Sequence, residues 1–182
     1  MNYHIQNGGK IKKGATIMGE EFKFLKGKIK KHPTRNVNLE YLERIDAVCV
    51  AVFDNSMEYI YLVKQYRAGS DDNMLEIVAG LIDDGEKPLD AMYRELAEET
   101  GFYTDDIEKM VKMPNYQYVT PGYSTEKLYF YAVRLKKDAV AKKQNLDDGE
   151  DIEVVKVKVD EVLSSTYDMK TSLAIKYFKN FD

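Results

Sequence analysis

A chain of 182 residues, 44% of them hydrophobic, can fill the core of one domain and still carry an N-terminal extension. Its net charge of −4 and pI of about 5.4 argue against a general nucleic-acid binder. A single cysteine, Cys49, excludes an intramolecular disulfide; with only two histidines beside it, a structural zinc site lacks ligands.

No apolar run reaches the ~18 residues of a membrane helix. The opening stretch, MNYHIQNGGKIKKG, has no apolar segment of the signal-peptide kind. These features predict a cytoplasmic protein that uses neither membrane nor nucleic acid as partner.

In chain order, residues 1–46 differ from the rest. Gly8, Gly9 and Gly14 interrupt the start. Lys23, Lys26, Lys28, Lys30 and Lys31 then alternate with Phe22, Phe24, Leu25 and Ile29. The pattern predicts a twisted antiparallel ribbon with lysines on its wet face and along its edges; a basic surface for a polyanion is the competing reading. Residues 46–54, DAVCVAVFD, form a valine-dense run expected to be a strand buried on both faces. A turn at 54–56 leads to a return strand at 59–65, and residues 74–79 read as a third strand. Farther on, 116–121 and 126–135 read as strands around a PGYST turn. Residues 147–151, DDGED, form an acidic glycine loop. An alternating strand follows at 152–159, then a short helix around 162–165 and a terminal helix at 169–178. On that last helix Leu173, Ala174, Tyr177 and Phe178 have core spacing. This order predicts an α/β fold, a mixed sheet with helices on both faces.

The stretch 80–102, GLIDDGEKPLDAMYRELAEETGF, carries the chemistry. Its first half reads as a loop. Its second half reads as a helix, with Pro88 in the first turn and Gly101 just past the end. Leu89, Tyr93 and Leu96 share one side and are expected to face the core. Glu95, Glu98 and Glu99 fall together, away from that stripe. Like charges at i,i+4 cost an isolated helix roughly 0.2–0.5 kcal/mol. Negative charge in the last turn also opposes the helix dipole. Two broken local rules in one turn suggest a site. A divalent cation would reverse both penalties, and hard oxygen ligands suit Mg²⁺ or Mn²⁺.

The spacing Gly80, Glu86, then Arg94-Glu95-Leu96-Ala97-Glu98-Glu99-Thr100-Gly101 resembles the Nudix box without departure. The resemblance implies the Nudix fold, an α/β/α sandwich with a mixed sheet, over residues 47–182. Residues 1–46 would add a β extension. It also implies hydrolysis of a diphosphate bonded to a nucleoside, with Mg²⁺ as cofactor and Mn²⁺ as its substitute. Glu95, Glu98, Glu99 and the Ala79 carbonyl match the metal-holding positions. Arg94 and Glu86 match a pair that fixes loop on helix, and Gly80 and Gly101 match the structural glycines.

Outside the box, VKQYR at 63–67, EIVAG at 76–80, Thr120-Pro121-Gly122 with Glu126, and YDMKTSLAIKYF near the end look like the ADP-ribose pyrophosphatase branch. That likeness implies substrate contacts from Arg67, Glu76, Gly80, Leu81 and Thr120, with Arg67 on phosphate. Glu76 is open between holding substrate and holding structure. The branch takes its general base from a late acidic loop, which makes Glu150 the expected base or metal-holding carboxylate and Asp148 the alternative. Glu98 and Arg94 complete the expected catalytic set. Three departures stand out. Val78 replaces a proline, Pro121 lies somewhat further from the box than in bacterial relatives, and neither Arg35 nor Arg44 aligns cleanly with the Arg-Glu pair with which relatives grip the sugar or base. The expected substrate is a nucleotide sugar, ADP-ribose first and GDP-mannose as the rival. A non-catalytic ADP-ribose-sensing module and a dinucleoside polyphosphate or RNA-cap hydrolase are the other readings. The branch commonly dimerises through its N-terminal strands, so a homodimer is expected.

Overall fold

The computed structural model describes residues 25–181. The expectations placed on Gly8, Gly9, Gly14, Phe22, Lys23 and Phe24 lie outside the described residues. Strands β1 (Lys26–Lys31) and β2 (Asn38–Glu43) pair antiparallel as a two-stranded ribbon. Every residue of β1 is exposed, Ile29 as much as the lysines. The ribbon is seated by backbone: the Leu42 N–H donates to the Tyr123 carbonyl at 2.7 Å, and the Thr125 N–H to the Leu42 carbonyl at 3.1 Å.

β3 (Ala47–Phe53) is buried along its whole length. Cys49, Ala51 and Phe53 face one core layer; Val48, Val50 and Val52 face the other. This is the period-2 alternation of a strand covered on both faces. Each fully buried valine contributes roughly 1.5–3 kcal/mol relative to exposure. Cys49 is one of these core residues, and burial pushes its thiol pKa up, away from nucleophilic use.

β4 (Tyr59–Arg67) pairs with β3 only at residues 60 and 61, then leaves it. The segment expected as one strand at 74–79 fills the fork as two. β5 (Asp72–Glu76) pairs with the departing β4, and β6 (Val78–Leu81) takes β4's place beside β3. Ile77 crosses between them, so its N–H cannot join either ladder. It donates instead to Thr171 Oγ1 at 2.8 Å.

Helix α1 (Pro88–Thr100) covers the Val48 face. Pro88 opens it, and Gly101, at φ 75°, closes it in the left-handed conformation. Its buried face overlaps the expected one in part, since Leu96 is buried and Tyr93 packs against the core. Ala91, Met92 and Leu96 are buried together with Glu95, Glu99 and Thr100, while Leu89 is 38% exposed. The two glutamates therefore lie on the inward face, between helix and sheet, and apolar spacing alone pointed beside it.

After α1 comes β7 (Ile107–Lys112), a strand that its mixed IEKMVK composition did not signal. The strand expected at 116–121 is only β8 (Gln117–Tyr118). β9 (Lys127–Leu135) runs parallel to β3, and β10 (Glu153–Lys158) closes the far edge against β4. The main sheet runs β10-β4-β3-β9-β7. Helices α2 (Val159–Ser165) and α3 (Met169–Phe178) cover the Cys49 face. On α3 the buried residues are Thr171, Ala174, Ile175 and Phe178; the expected core positions Leu173 and Tyr177 are exposed. Asp168 caps α3, accepting from the Thr171 N–H at 2.9 Å. Thr171 thus holds the cap and the Ile77 crossing at once, which fastens the start of α3 to the fork of the sheet.

Candidate active site

The fork opens a cleft of about 650 Å³. One wall is acidic: Glu95, Glu98 and Glu99 from α1, Asp83 from the loop before it, and Asp147 and Glu150 from the 147–151 loop. The other is mixed, with Arg67 and Gln65 from β4, Asp168 and Lys170 from the start of α3, and Arg44 with Glu126 near the ribbon. Ala79, Gly80 and Leu81 of β6 form the floor, and Ala47, Val119, Leu128 and Met169 add apolar surface.

The acidic wall is under electrostatic stress. Burial pushes the Glu95 pKa up to about 7, although Arg94 pulls it down. Burial, then the charge of Glu95, push Glu99 up to about 8. Burial thus raises the pKa of two neighbouring carboxyls that line one cavity. Glu99 Oε2 accepts only a long bond, 3.4 Å, from the Ala79 N–H. Glu95 reaches its place because position 80 lacks a side chain. A Cβ there would stand 1.8 Å from the Glu95 carboxyl carbon.

Arg94 ties the box together. Its Nε and Nη2 donate to the two Glu86 oxygens at 3.0 and 2.9 Å. Nη2 also donates to the Leu81 carbonyl at 2.8 Å. Nη1 donates to Glu95 at 2.6 Å and to Glu98 at 3.0 Å. The Arg94 hydrogen bond holds Glu86 below the usual carboxylate range. Among the described residues, no three acidic, histidine or cysteine side chains converge as a ready-made metal cage. Glu95 and Glu98 turn to the Arg94 guanidinium instead.

Opposite, Glu76 is 2% exposed and shared by two cations. Arg67 donates to both its oxygens, from Nε at 2.7 Å and Nη2 at 2.8 Å. Lys170 Nζ bonds the same Oε2 and reaches Asp168 Oδ1 at 3.0 Å. Burial alone would raise the Glu76 pKa; Arg67 and Lys170 together outweigh it and hold the carboxyl low. A guanidinium has five donors, so Arg67 keeps some for the cleft.

The 147–151 loop is a closed turn. The Glu150 N–H donates to the Asp147 carbonyl at 3.1 Å, and the Asp147 N–H donates to Glu150 Oε2 at 3.1 Å. Gly149, at φ 94°, allows the turn. Glu150 and Asp147 line the cleft; Asp148 does not.

The NUDIX domain model matches residues 43–178. The chain belongs to the Nudix family. It shares 28% identity with a methanol dehydrogenase activator from Bacillus methanolicus over 94% of this chain and 95% of that protein. It shares 31% with an ADP-ribose pyrophosphatase from Bacillus subtilis, over 66% of this chain and 65% of the other. A GDP-mannose pyrophosphatase from Salmonella arizonae is 28% identical over 76% and 75%. The fold matches a solved structure described as an ADP compounds hydrolase, at a TM-score of 0.63 and 18% identity, covering 87% of this chain and 94% of that one.

Of the residues singled out in the sequence, Glu95, Glu98, Glu99, Arg94, Ala79, Gly80, Leu81, Arg67 and Glu150 all line this one cleft, while Glu86 lies outside its lining, held by Arg94. Glu76 lies behind Arg67 as its anchor. Thr120 does not line the cleft; its carbonyl accepts the Tyr123 and Ser124 N–H groups in the turn before β9. Arg44, which matched no motif, does line it, 3.9 Å from Glu126. Lys170 and Asp168 were missed, yet Lys170 carried a readable signal. A lysine in the first turn of a helix opposes the dipole, as glutamates in the last turn of α1 do.

Proposed function

We propose that this Nudix protein hydrolyses the diphosphate of a nucleoside diphosphate sugar, with ADP-ribose as first substrate, giving AMP and ribose 5-phosphate. The observation that carries the reading is one cleft lined by Glu95, Glu98, Glu99 and Glu150 together with Arg67 and Lys170. The residues fit a divalent cation, Mg²⁺ or Mn²⁺. Glu95 and Glu99 are buried carboxylates on the cleft, Glu99 held by no more than the long Ala79 N–H bond, and position 80 is shaped around Glu95. Glu95, Glu98, Glu99 and the Ala79 carbonyl are the groups that would hold it. When bound, such an ion neutralises phosphoryl charge and favours attack by water.

The chain's own residues do the rest. Arg67, oriented by Glu76, binds phosphate with its remaining donors. Arg94 locks the loop of the box to α1 and orients Glu95 and Glu98. Glu150 takes the proton of the attacking water on a carboxylate oxygen; the leaving phosphate oxygen departs as the P–O bond breaks. A loop carboxylate suits this task because those on α1 are committed elsewhere. GDP-mannose is the second reading, supported by the Salmonella relative. An ADP-ribose-sensing module without catalysis is disfavoured by the complete box. A screen of nucleotide sugars with Mg²⁺, measuring released monophosphate, tests the choice. ADP-ribose should turn over fastest, and Glu150→Gln should lower kcat about 10²–10⁴-fold while Asp148→Asn costs far less. Preference for GDP-mannose would reassign the substrate; a harmless Glu150→Gln would move the base.

We also infer a cytoplasmic homodimer joined through the 1–46 segment. A two-stranded ribbon is marginal alone, and this one leaves Ile29, Val37 and Leu39 exposed. Light scattering at micromolar concentration should give twice the chain mass; a monomer contradicts the assignment.

A further inference from the structure

The last carbonyls of α1 have no partners within the helix, as at any helix end. Here a strap at 142–145 takes them. The Asn145 N–H donates to the Glu98 carbonyl at 3.0 Å, and the Lys142 N–H to the Gly101 carbonyl at 2.9 Å. Gln144 contributes its side chain. Its amide Nε2 donates to the Glu99 carbonyl at 2.5 Å and to the Ile152 carbonyl at 3.3 Å. An NH₂ group has two hydrogens, and each finds one carbonyl. The two carbonyls belong to different elements. Glu99 is a carboxylate-bearing residue of α1. Ile152 is the buried residue that ends the acidic loop and leads into β10. Gln144 itself stands at the other end of that loop.

We propose that Gln144 is a positioning residue: its amide clamps both ends of the acidic loop to the last turn of α1 and so sets where Glu150 stands relative to Glu95 and Glu99. This rests on the hydrolase reading above. The loop's internal bonds, between Asp147 and Glu150, close the turn on itself but do not fix it to the helix. Asn145 fastens only the incoming end. Without the Gln144 amide, the outgoing end is held by β10 and by the burial of Ile152 in the layer that includes Ala91, Met92 and Leu96, and among the described residues no other hydrogen bond links it to α1. A general base works over hydrogen-bond distances, so a small displacement of the loop matters. Gly101 belongs to the same device. A Cβ there would stand 2.0 Å from the Lys142 carbonyl oxygen, so the strap can lie against the helix end only over glycine.

The test uses Gln144→Met, which keeps length and volume but removes both donors, and Gln144→Glu, which sets a carboxylate against two carbonyls. Steady-state kinetics on ADP-ribose with Mg²⁺ should show kcat lower by about 10²-fold in each. KM should stay within about twofold, because phosphate contacts from Arg67 are untouched. A second readout is independent of activity. The chain has no tryptophan, so Asp151→Trp gives the loop a single reporter. Adding Gln144→Met to that variant should lower its fluorescence anisotropy. Unchanged anisotropy, or a loss confined to KM, overturns the clamp. If the wild-type protein turns over no nucleotide sugar, the hydrolase reading fails, and the anisotropy still decides whether Gln144 holds the loop.

Discussion

A methyl group at position 80 and one at position 101 meet different obstacles. At 80 the obstacle is the Glu95 carboxylate, the far end of a long side chain. At 101 it is the Lys142 backbone carbonyl, and the residue also has φ 75°. Gly80→Ala should therefore cost little stability, under about 1 kcal/mol, but displace Glu95 and lower turnover about 10²-fold. Gly101→Ala should cost about 1–3 kcal/mol of stability, since both backbone conformation and strap must yield. Urea unfolding beside steady-state kinetics separates the two. Equal stability losses would remove the distinction. Both glycines are legible in the sequence as members of a motif. Their reasons are not, because each depends on a group distant in the chain that only the fold brings close.

At the scale of elements, α1 and α3 meet the cleft with opposite ends. The last turn of α1 brings carboxylates and the first turn of α3 brings Lys170, each against its own dipole. Glu76 joins α3 to β4 and β5. Its folded pKa lies below the ordinary carboxylate value, so its contribution is full above about pH 5 and fades as pH falls through the folded pKa. Glu76→Gln should cost about 1–3 kcal/mol at pH 7, less than a fully buried pair because Arg67 is 41% exposed. The difference from wild type should shrink below about pH 4. Thermal unfolding from pH 3 to 8 measures it, and a difference independent of pH contradicts the charge account. The limits of α3 were readable from its periodic run, and so was the alternation that buries β3. The buried faces of the helices were legible in part: Leu96, Ala174 and Phe178 are buried as expected, whereas Leu89, Leu173 and Tyr177 are exposed. On α1 the inward positions carry Glu95 and Glu99, so a search for apolar spacing selects Leu89, one side away. The division of β5 from β6 depends on where β4 leaves β3, and β7 is set by its pairing with β9, tertiary events without local signal.

Taken whole, the sheet forks where β4 leaves β3, and every group of the proposed chemistry is delivered to that fork: the floor by β6, the carboxylates by α1, the cations by β4 and α3, the loop carboxylate by the turn before β10. This is why one motif of 23 residues reveals the reaction class but not the substrate. The motif carries its own glutamates, whereas Arg44, Lys170 and Met169 reach the cleft from opposite ends of the chain. On the proposed function, the buried carboxylates of this cleft hold a divalent cation for diphosphate hydrolysis. The most direct measurement follows AMP formation from ADP-ribose by wild-type and Glu99→Gln protein, each with Mg²⁺ and with excess chelator. The wild type should turn over with Mg²⁺ and not with chelator, and Glu99→Gln should lose orders of magnitude although the variant folds as stably as the parent. Undiminished AMP release in chelator, or full activity of Glu99→Gln, would contradict the proposed function.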